Sequence, residues 1–553
     1  MKRPLYLLLA LCLTLCACTA TGQTDEQSTA QVTAQSTSQT TAQTSASTDG
    51  LLSDKDVTLA DASQATDIVL TGESVVISQA GTYRLTGEIT NGSIFVNPAT
   101  EDMVWLLLDG VTVHNESGAA LVSDGADKLI LTLAEGSVNT FSQGASTPLT
   151  EDNDAAIFSR DDLTVNGTSA LVVESQYLDG INCRDSLRIV SGTITVTAVD
   201  DGMVGKDEVT ICGGDITVIA QGGDAIKATN DTDAERGFVA LAGGAVSVVT
   251  GGGAASAQRT SAGGWGGWYE AESTDTTASQ KGLKAETYIT ISGGALVADT
   301  VDDAVHANGD IAISGGQLTL QSGDDGVHSD GTLTLSGGAI DVQTSYEGLE
   351  ATNIIISGGD IRVISTDDGI NGAGGDSATT TESGGWGGQM GRFGRDMFSS
   401  STGEMTLSGG RVYIQADGDG VDVNGSVTMT GGELYVRGSE NSANGALDYD
   451  GSFTLTGGTL LAAGASGMAQ SVSSSTVPGV TFTTGGASGD LAVADASGNV
   501  LVSCSFTGSF NHVVLYSDLF AEGQSYDITI GDASGTLEMS TATQSSSGGG
   551  GRR

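Results

Sequence analysis

Between Asp302 and Val363 apolar and polar residues alternate in short bursts: Ile311-Ala312-Ile313, Leu318-Thr319-Leu320, Leu333-Thr334-Leu335, Ile340-Asp341-Val342 and Ile361-Arg362-Val363. A period of two marks a strand with one face in a core. Gly-Gly pairs punctuate the bursts at Gly293, Gly315, Gly337 and Gly358, then at Gly409 and Gly431, with steps of 22, 22 and 21 residues and, past an interruption, 22. A second short strand precedes each pair, as in "DIAIS", "TLTLS", "NIIIS", "EMTLS" and "SVTMT". A unit this small cannot bury its own apolar face and has to stack on its neighbours. With no helical periodicity and no leucine-rich-repeat signature, the pattern predicts an all-β chain: a right-handed parallel β-helix of about 22-residue coils, each rising about 4.8 Å, with capped ends and a small C-terminal β extension.

The remaining segments order themselves around this repeat. Residues 1–18, "MKRPLYLLLALCLTLCAC", pair a basic start with an apolar run too short to stay as a membrane span, and Leu15 to Cys18 has the form of a bacterial lipobox. The expectation is a lipoprotein signal with lipid on Cys18, which makes the protein extracellular and anchored to the bacterial cell membrane. Residues 19–50 are rich in Thr, Ser and Gln and predict a disordered linker. Residues 51–165 read as an N-terminal cap and early coils, 166–460 as the repeats, 461–540 as a C-terminal β cap and 541–553 as a disordered tail. Inserts at about 250–280 and 372–403 break the period, and both contain Gly-Gly-Trp-Gly-Gly.

Composition narrows the function. The chain has 68 Asp+Glu against 21 Lys+Arg, a formal charge of -47, which repels nucleic acid and concentrates cations wherever carboxylates cluster. Cys183, Cys212 and Cys504 occupy unlike positions, imply neither a disulfide framework nor zinc, and read as small buried fillers.

The carboxylates recur. Asp179, Asp201, Asp224, Asp303, Asp325, Asp368 and Asp419 hold one place in successive coils, with Lys281 and Glu347 in that place in two others. Stacking brings them within about 5 Å, where like charges raise each other's pKa unless a cation intervenes. Oxygen-only sites suit Ca²⁺, and the doubled acids Asp200-Asp201, Asp302-Asp303, Asp324-Asp325 and Asp367-Asp368, with Asp417 and Asp422 around Asp419, are the calcium candidates. The alternative is an Asp capping its own tight turn. Three residues on runs a polar column of Asn182, Lys227, Lys284, His306, His328, Glu350, Asn371 and Asp422; its two histidines are expected to stack, as exposed turn residues rather than a transition-metal pair. On the strand after the Gly pair, Tyr413 and Tyr435, flanked by Arg411 and Arg437, suit the apolar face and polar edge of a sugar ring. Trp265, Trp268 and Trp386 of the inserts are further carbohydrate-binding candidates. No catalytic residue is assigned, although Lys281 and Lys284 among the acids are the one arrangement open to lyase chemistry.

The stretches "YLDGINCRDSLRI", "DDGMVGKDEVTICGGDITVIAQGGDAIKA", "GDGVDVNGSVTMTGGELYV" and "NGALDYDG" resemble those of the secreted bacterial carbohydrate-binding β-helix family, whose clostridial type binds cellulose and pectic acid, over about Val57 to Ile530. That resemblance implies a pectate-lyase-like β-helix with bound calcium, adds Asp448 and Asp450 to the calcium candidates, and puts the Ala225, Lys281 and Ala304 coils in doubt. The resulting expectation is a monomeric, calcium-stabilised surface protein that binds a polysaccharide such as cellulose or polygalacturonate. A calcium-dependent pectate-type lyase and a surface adhesin are the alternatives.

Overall fold

The computed structural model describes residues 50–98, 102–146, 154–257, 279–373 and 403–541. Each coil contributes one strand to each of three faces. In one coil these are Val305–Ala307, Ile311–Ile313 and Gln317–Ser322, and the next strand, Val327–Thr344, is continuous enough to run along all three. Successive coils pair in parallel: Leu283 lies beside Val305, Val305 beside Val327 and Val327 beside Leu349. Such ladders make a single column of Ile, Val and Leu, fully buried from Leu85 to Leu460. Each such side chain stabilises the stack by about 1.5–3 kcal/mol relative to leaving it in water. The alternating bursts thus form a parallel β-helix.

The Gly pairs have a steric cause. A Cβ on Gly315 would meet the Ser292 carbonyl oxygen of the coil below at 2.3 Å, and Gly316 adopts φ +87 to turn the chain onto the next face. Any other residue would push the coils apart at the first position and strain the backbone at the second.

Both flanks of the stack are closed by other elements. At the N-terminal side the short helix Asp54–Val57, held by a capping box from Ser53, packs against the strand Asp162–Gly167. Asp56 there is buried, bonded to Lys128 at 2.7 Å and Thr164 at 2.6 Å. At the C-terminal side Thr459–Gly464 is parallel to Glu433–Arg437 below it and antiparallel on its other edge to residues 512–517, the end of a long hairpin made by Gly479–Ala494 and Val500–Ser517. This extension covers the last strand edge and also folds over the outer face beneath it, where Phe506, Phe510, Leu461 and Tyr435 form a second apolar core. Among the described residues, no helix is long and apolar enough to cross a membrane.

Candidate functional site

The polar column is continuous. Asn182, Val204, Lys227, Lys284, His306, His328, Glu350, Asn371, Asp422 and Asp448 follow one another in register on one face. Three residues before these positions, in the turn that feeds the face, stands the recurring acid, replaced by Lys281 before Lys284 and by Gly445 before Asp448. Its carboxylate does not cap its own turn; it accepts the backbone N–H of the next coil. Asp201 Oδ1 takes the Asp224 N–H at 2.7 Å, Asp224 Oδ1 takes Lys281 at 2.8 Å, Asp303 Oδ1 takes Asp325 at 2.9 Å and Asp368 Oδ1 takes Asp419 at 2.6 Å.

The carboxylate oxygen left over from this bond meets different company along the stack. At the start of the stack Asp179 meets only the Asn182 amide, and burial with Asp201 raises it to about 8; from Asp201 to Asp325 the oxygen meets a base. Lys227 Nζ lies 3.2 Å from Asp201 and 3.0 Å from Asp224. Lys281 Nζ lies 3.0 Å from Asp302 and 2.6 Å from Asp303. His306 and His328 stack with ring centroids 4.6 Å apart. Their Nδ1 atoms reach Asp303 at 2.7 Å and Asp325 at 2.8 Å. These histidines sit on strands and are mostly shielded, which corrects their reading as exposed turn residues; three residues past the turn acid the chain has already entered the strand, of which each is the second residue. Burial disfavours a charge on His328, but Asp325, Asp330 and Glu350 outweigh it and hold its pKa far above the usual imidazole range. Asp303 is held well below the carboxylate range: burial opposes this, and Lys281 and His306 overcome it.

In the second half no base arrives. Burial, followed by the neighbouring Glu350, raises Glu347 to about 9. Burial and Asp367 raise Asp368 to about 8, while burial and the adjoining acids lift Asp419 to about 6 and Asp422 to about 7. Asp368, Asp419 and Asp422 each bring one oxygen within 4.8 Å of the others. Among the described residues no Lys, Arg or His forms an ion pair with any of the three.

The candidate residues therefore separate. Asp302, Asp303 and Asp324 also converge within 4.8 Å, but Lys281 already fills the space that a cation would take. Asp200 and Asp201 both face the turn at Gly223, where Lys227 supplies the charge, and Asp325 is satisfied by His328. Asp367 and Asp368 lie side by side under Gly418, whose Cβ would fall 2.5 and 2.4 Å from their Oδ1 atoms. Asp448 extends the Asp422 column and accepts a bond from Gln470; Asp450 is exposed beyond it. Asp417 points elsewhere, into a cleft beside the C-terminal hairpin.

Tyr413 and Tyr435 are neighbours in register, yet they do not form an open platform. Tyr435 is only 7% exposed and belongs to the apolar core under the hairpin, and Tyr413 packs against that core with its hydroxyl 3.4 Å from the Ser505 carbonyl. The Arg437 side chain is buried beneath the same hairpin, its Nε donating to Thr507 O at 2.8 Å, while Arg411 stays exposed with its guanidinium 5.5 Å from the Tyr435 ring centre. The covering segment lies some seventy residues downstream and is invisible in the repeat. Of the cysteines, Cys183 is buried, whereas Cys212 and Cys504 are partly exposed. Cys18, Trp265, Trp268 and Trp386 lie outside the described residues.

Residues 71–326 match a family model described as carbohydrate-binding domain-containing protein. A carbohydrate-binding domain-containing protein of Acetivibrio thermocellus is 33% identical over 128 residues, which cover 22% of this chain and 45% of the relative. The chain thus spans less than half the length of the curated relative that it matches. A solved polysaccharide lyase-like protein from C. thermocellum, studied as a gadolinium derivative, is 25% identical with a TM-score of 0.37, covering 48% of this chain and 88% of that one. Residues 71–326 are thus similar to this carbohydrate-binding domain family, in agreement with the resemblance carried by the repeat motifs.

Proposed function

We propose that the protein is a polysaccharide-binding β-helix whose acidic second half holds calcium, tethered to the bacterial surface by a lipid on Cys18. The observation that carries the calcium reading is the convergence of Asp368, Asp419 and Asp422 without a basic partner among the described residues. Their donor set is oxygen only, and their pKa values of about 8, 6 and 7 measure how strongly the site resists carrying bare negative charge. Calcium accepts six to eight oxygens, so three protein carboxylates leave positions for water or for a uronate of the polymer. The Asp201, Asp302, Asp303 and Asp325 positions are dropped from this reading because Lys227, Lys281 and His328 already pair with them, and Asp200 and Asp324 go with the partners they would have shared a cation with.

A second reading, a calcium-dependent lyase of acidic polysaccharide, draws on Lys284. Burial, reinforced by the charge of Lys281, holds its ammonium below the ordinary lysine pKa, as a proton-abstracting base requires. Lys281 is unsuited to that role, since its bonds to Asp302 and Asp303 keep it protonated against the effect of burial.

Retention of the protein on insoluble polygalacturonate and on cellulose, with calcium and with chelator, tests both readings. Calcium-supported retention without unsaturated uronides in the supernatant identifies a binding module. Release of unsaturated uronides that Lys284→Ala abolishes without loss of retention identifies a lyase. Retention on neither polymer refutes the polysaccharide reading and leaves adhesion to another surface protein.

A further inference from the structure

The C-terminal hairpin does more than close the stack. Where a bulge in its second strand, at Thr507 and Gly508, lies along the outer face it leaves a cleft of about 400 Å³, within the size class of small-molecule sites. The walls come from three parts of the chain: Gln415 and Asp417 at the end of one strand, Arg437 with Ser439 and Asn441 one coil further, and Thr507 from the hairpin.

The hydrogen-bonding groups here are half used. Gln415 Oε1 accepts from the Thr507 hydroxyl at 2.9 Å, but its Nε2 makes no hydrogen bond within the described residues. Asn441 Oδ1 accepts the Ala443 N–H at 3.1 Å, and its Nδ2 is likewise unengaged. Arg437 is nearly buried and held rigidly: Nε donates to Thr507 O, and Nη2 to Ser509 O and Glu440, each at 2.8 to 3.1 Å. Its Nη1 has no such partner, yet it is not among the buried polar atoms that lack one, so it reaches the open space of the cleft. The Asp417 carboxylate accepts nothing from the described residues. Three unengaged donor groups and one acceptor thus belong to residues that line a concave space, with an aromatic ring, Tyr413, two residues along the same strand.

We propose that this cleft is a subsite for the hydroxyl edge of an uncharged pyranose in a polysaccharide chain. Adjacent sugar hydroxyls both donate and accept, which matches a mixed wall of amide, guanidinium and carboxylate groups. The charge argues for a neutral ring: Glu440 already pairs with Arg437, so Asp417 leaves the wall net negative and opposed to a uronate. Because Arg437 is clamped by three bonds, little side-chain ordering is lost on binding. The site lies beyond residue 326 and so outside the family match, and it exists only because the hairpin covers the face.

The proposal rests on the polysaccharide reading, and one experiment separates the two. Isothermal titration of the full chain with cello-oligosaccharides and with oligogalacturonates is compared for wild type, Gln415→Ala/Asn441→Ala, and Asn441→Leu, with melting temperatures recorded alongside. The expected result is at least tenfold weaker binding of the cello-oligosaccharide in both variants, with unchanged melting and an unchanged melting response to calcium. Wild-type binding that both variants retain would overturn the subsite while leaving the polysaccharide reading intact. Binding of the galacturonate alone would overturn its neutral specificity, and wild-type binding of neither sugar would sink both.

Discussion

The two halves of the acidic column have the same backbone and opposite chemistry. From Asp201 to Asp325 every turn carboxylate finds a side-chain cation: Lys227, Lys281, His306 or His328. From Glu347 to Asp448 the same stacking yields Asn371, Asp422 and Asp448 in the polar column, and the carboxylates are forced upward in pKa. The difference teaches that the repeat's acid is there first for the backbone, to hold the next coil's N–H. Its remaining charge is a by-product that one half cancels internally and the other leaves for something outside the chain.

Turning the first half into a copy of the second is the most disruptive way to test this. Lys281→Met strands Asp302 and leaves buried Asp303 with His306 as its one basic partner, and the expected cost is about 3–5 kcal/mol. Calorimetric unfolding checks it, and calcium should restore part of the loss in this variant while leaving the wild-type first half unaffected. A smaller effect of opposite sign is expected in the second half. Asp368→Asn with Asp422→Asn relieves repulsion and should stabilise the chelator-treated protein by about 1–2 kcal/mol while abolishing its melting response to calcium.

A pH series sharpens the contrast further. Glu347, Asp368, Asp419 and Asp422 have folded pKa values of about 9, 8, 6 and 7, above the roughly 4 of an unfolded carboxylate. The native state therefore binds their protons more tightly, and their contribution is fully present below about pH 4 and lost as pH rises from there to about 9. In chelator, hydrogen exchange in coils 347–450 should quicken across that window, and calcium should flatten the trend. Asp303, depressed by its basic partners, contributes in the opposite sense, so its own contribution is lost only in acid. The subtlest probe is His328→Gln, which should shift exchange locally around Asp325 and Glu350 and leave the coils from Asn371 onward unchanged.

Much of this architecture is legible in the chain because the repeat is local. The period of the Gly pairs, the alternation of Ile340 and Val342, and the 22-residue spacing of His306 and His328 map directly onto coils, faces and a stacked pair of rings. The counter-charge role of Lys281 also follows from a lysine standing among acids. What the repeat could not reveal came from outside it. The burial of Tyr435 and Arg437 depends on a hairpin from a different part of the sequence, and no periodicity announces where that hairpin lands. The direction of the Asp hydrogen bond was equally hidden, since capping one's own turn and capping the next coil place the same residue at the same position.

The bond from Asp224 has a practical consequence. Its Oδ1 accepts both the Lys281 N–H and the Ser279 hydroxyl, fastening the chain just where it rejoins the stack after leaving near Gly251, and Leu283 then settles beside Ile226 as though nothing had intervened. The coil thereby offers a port: a foreign peptide or small domain spliced between residues 258 and 278 would leave from and return to the parallel ladder, with its coil set in advance by the Ile226–Leu283 register.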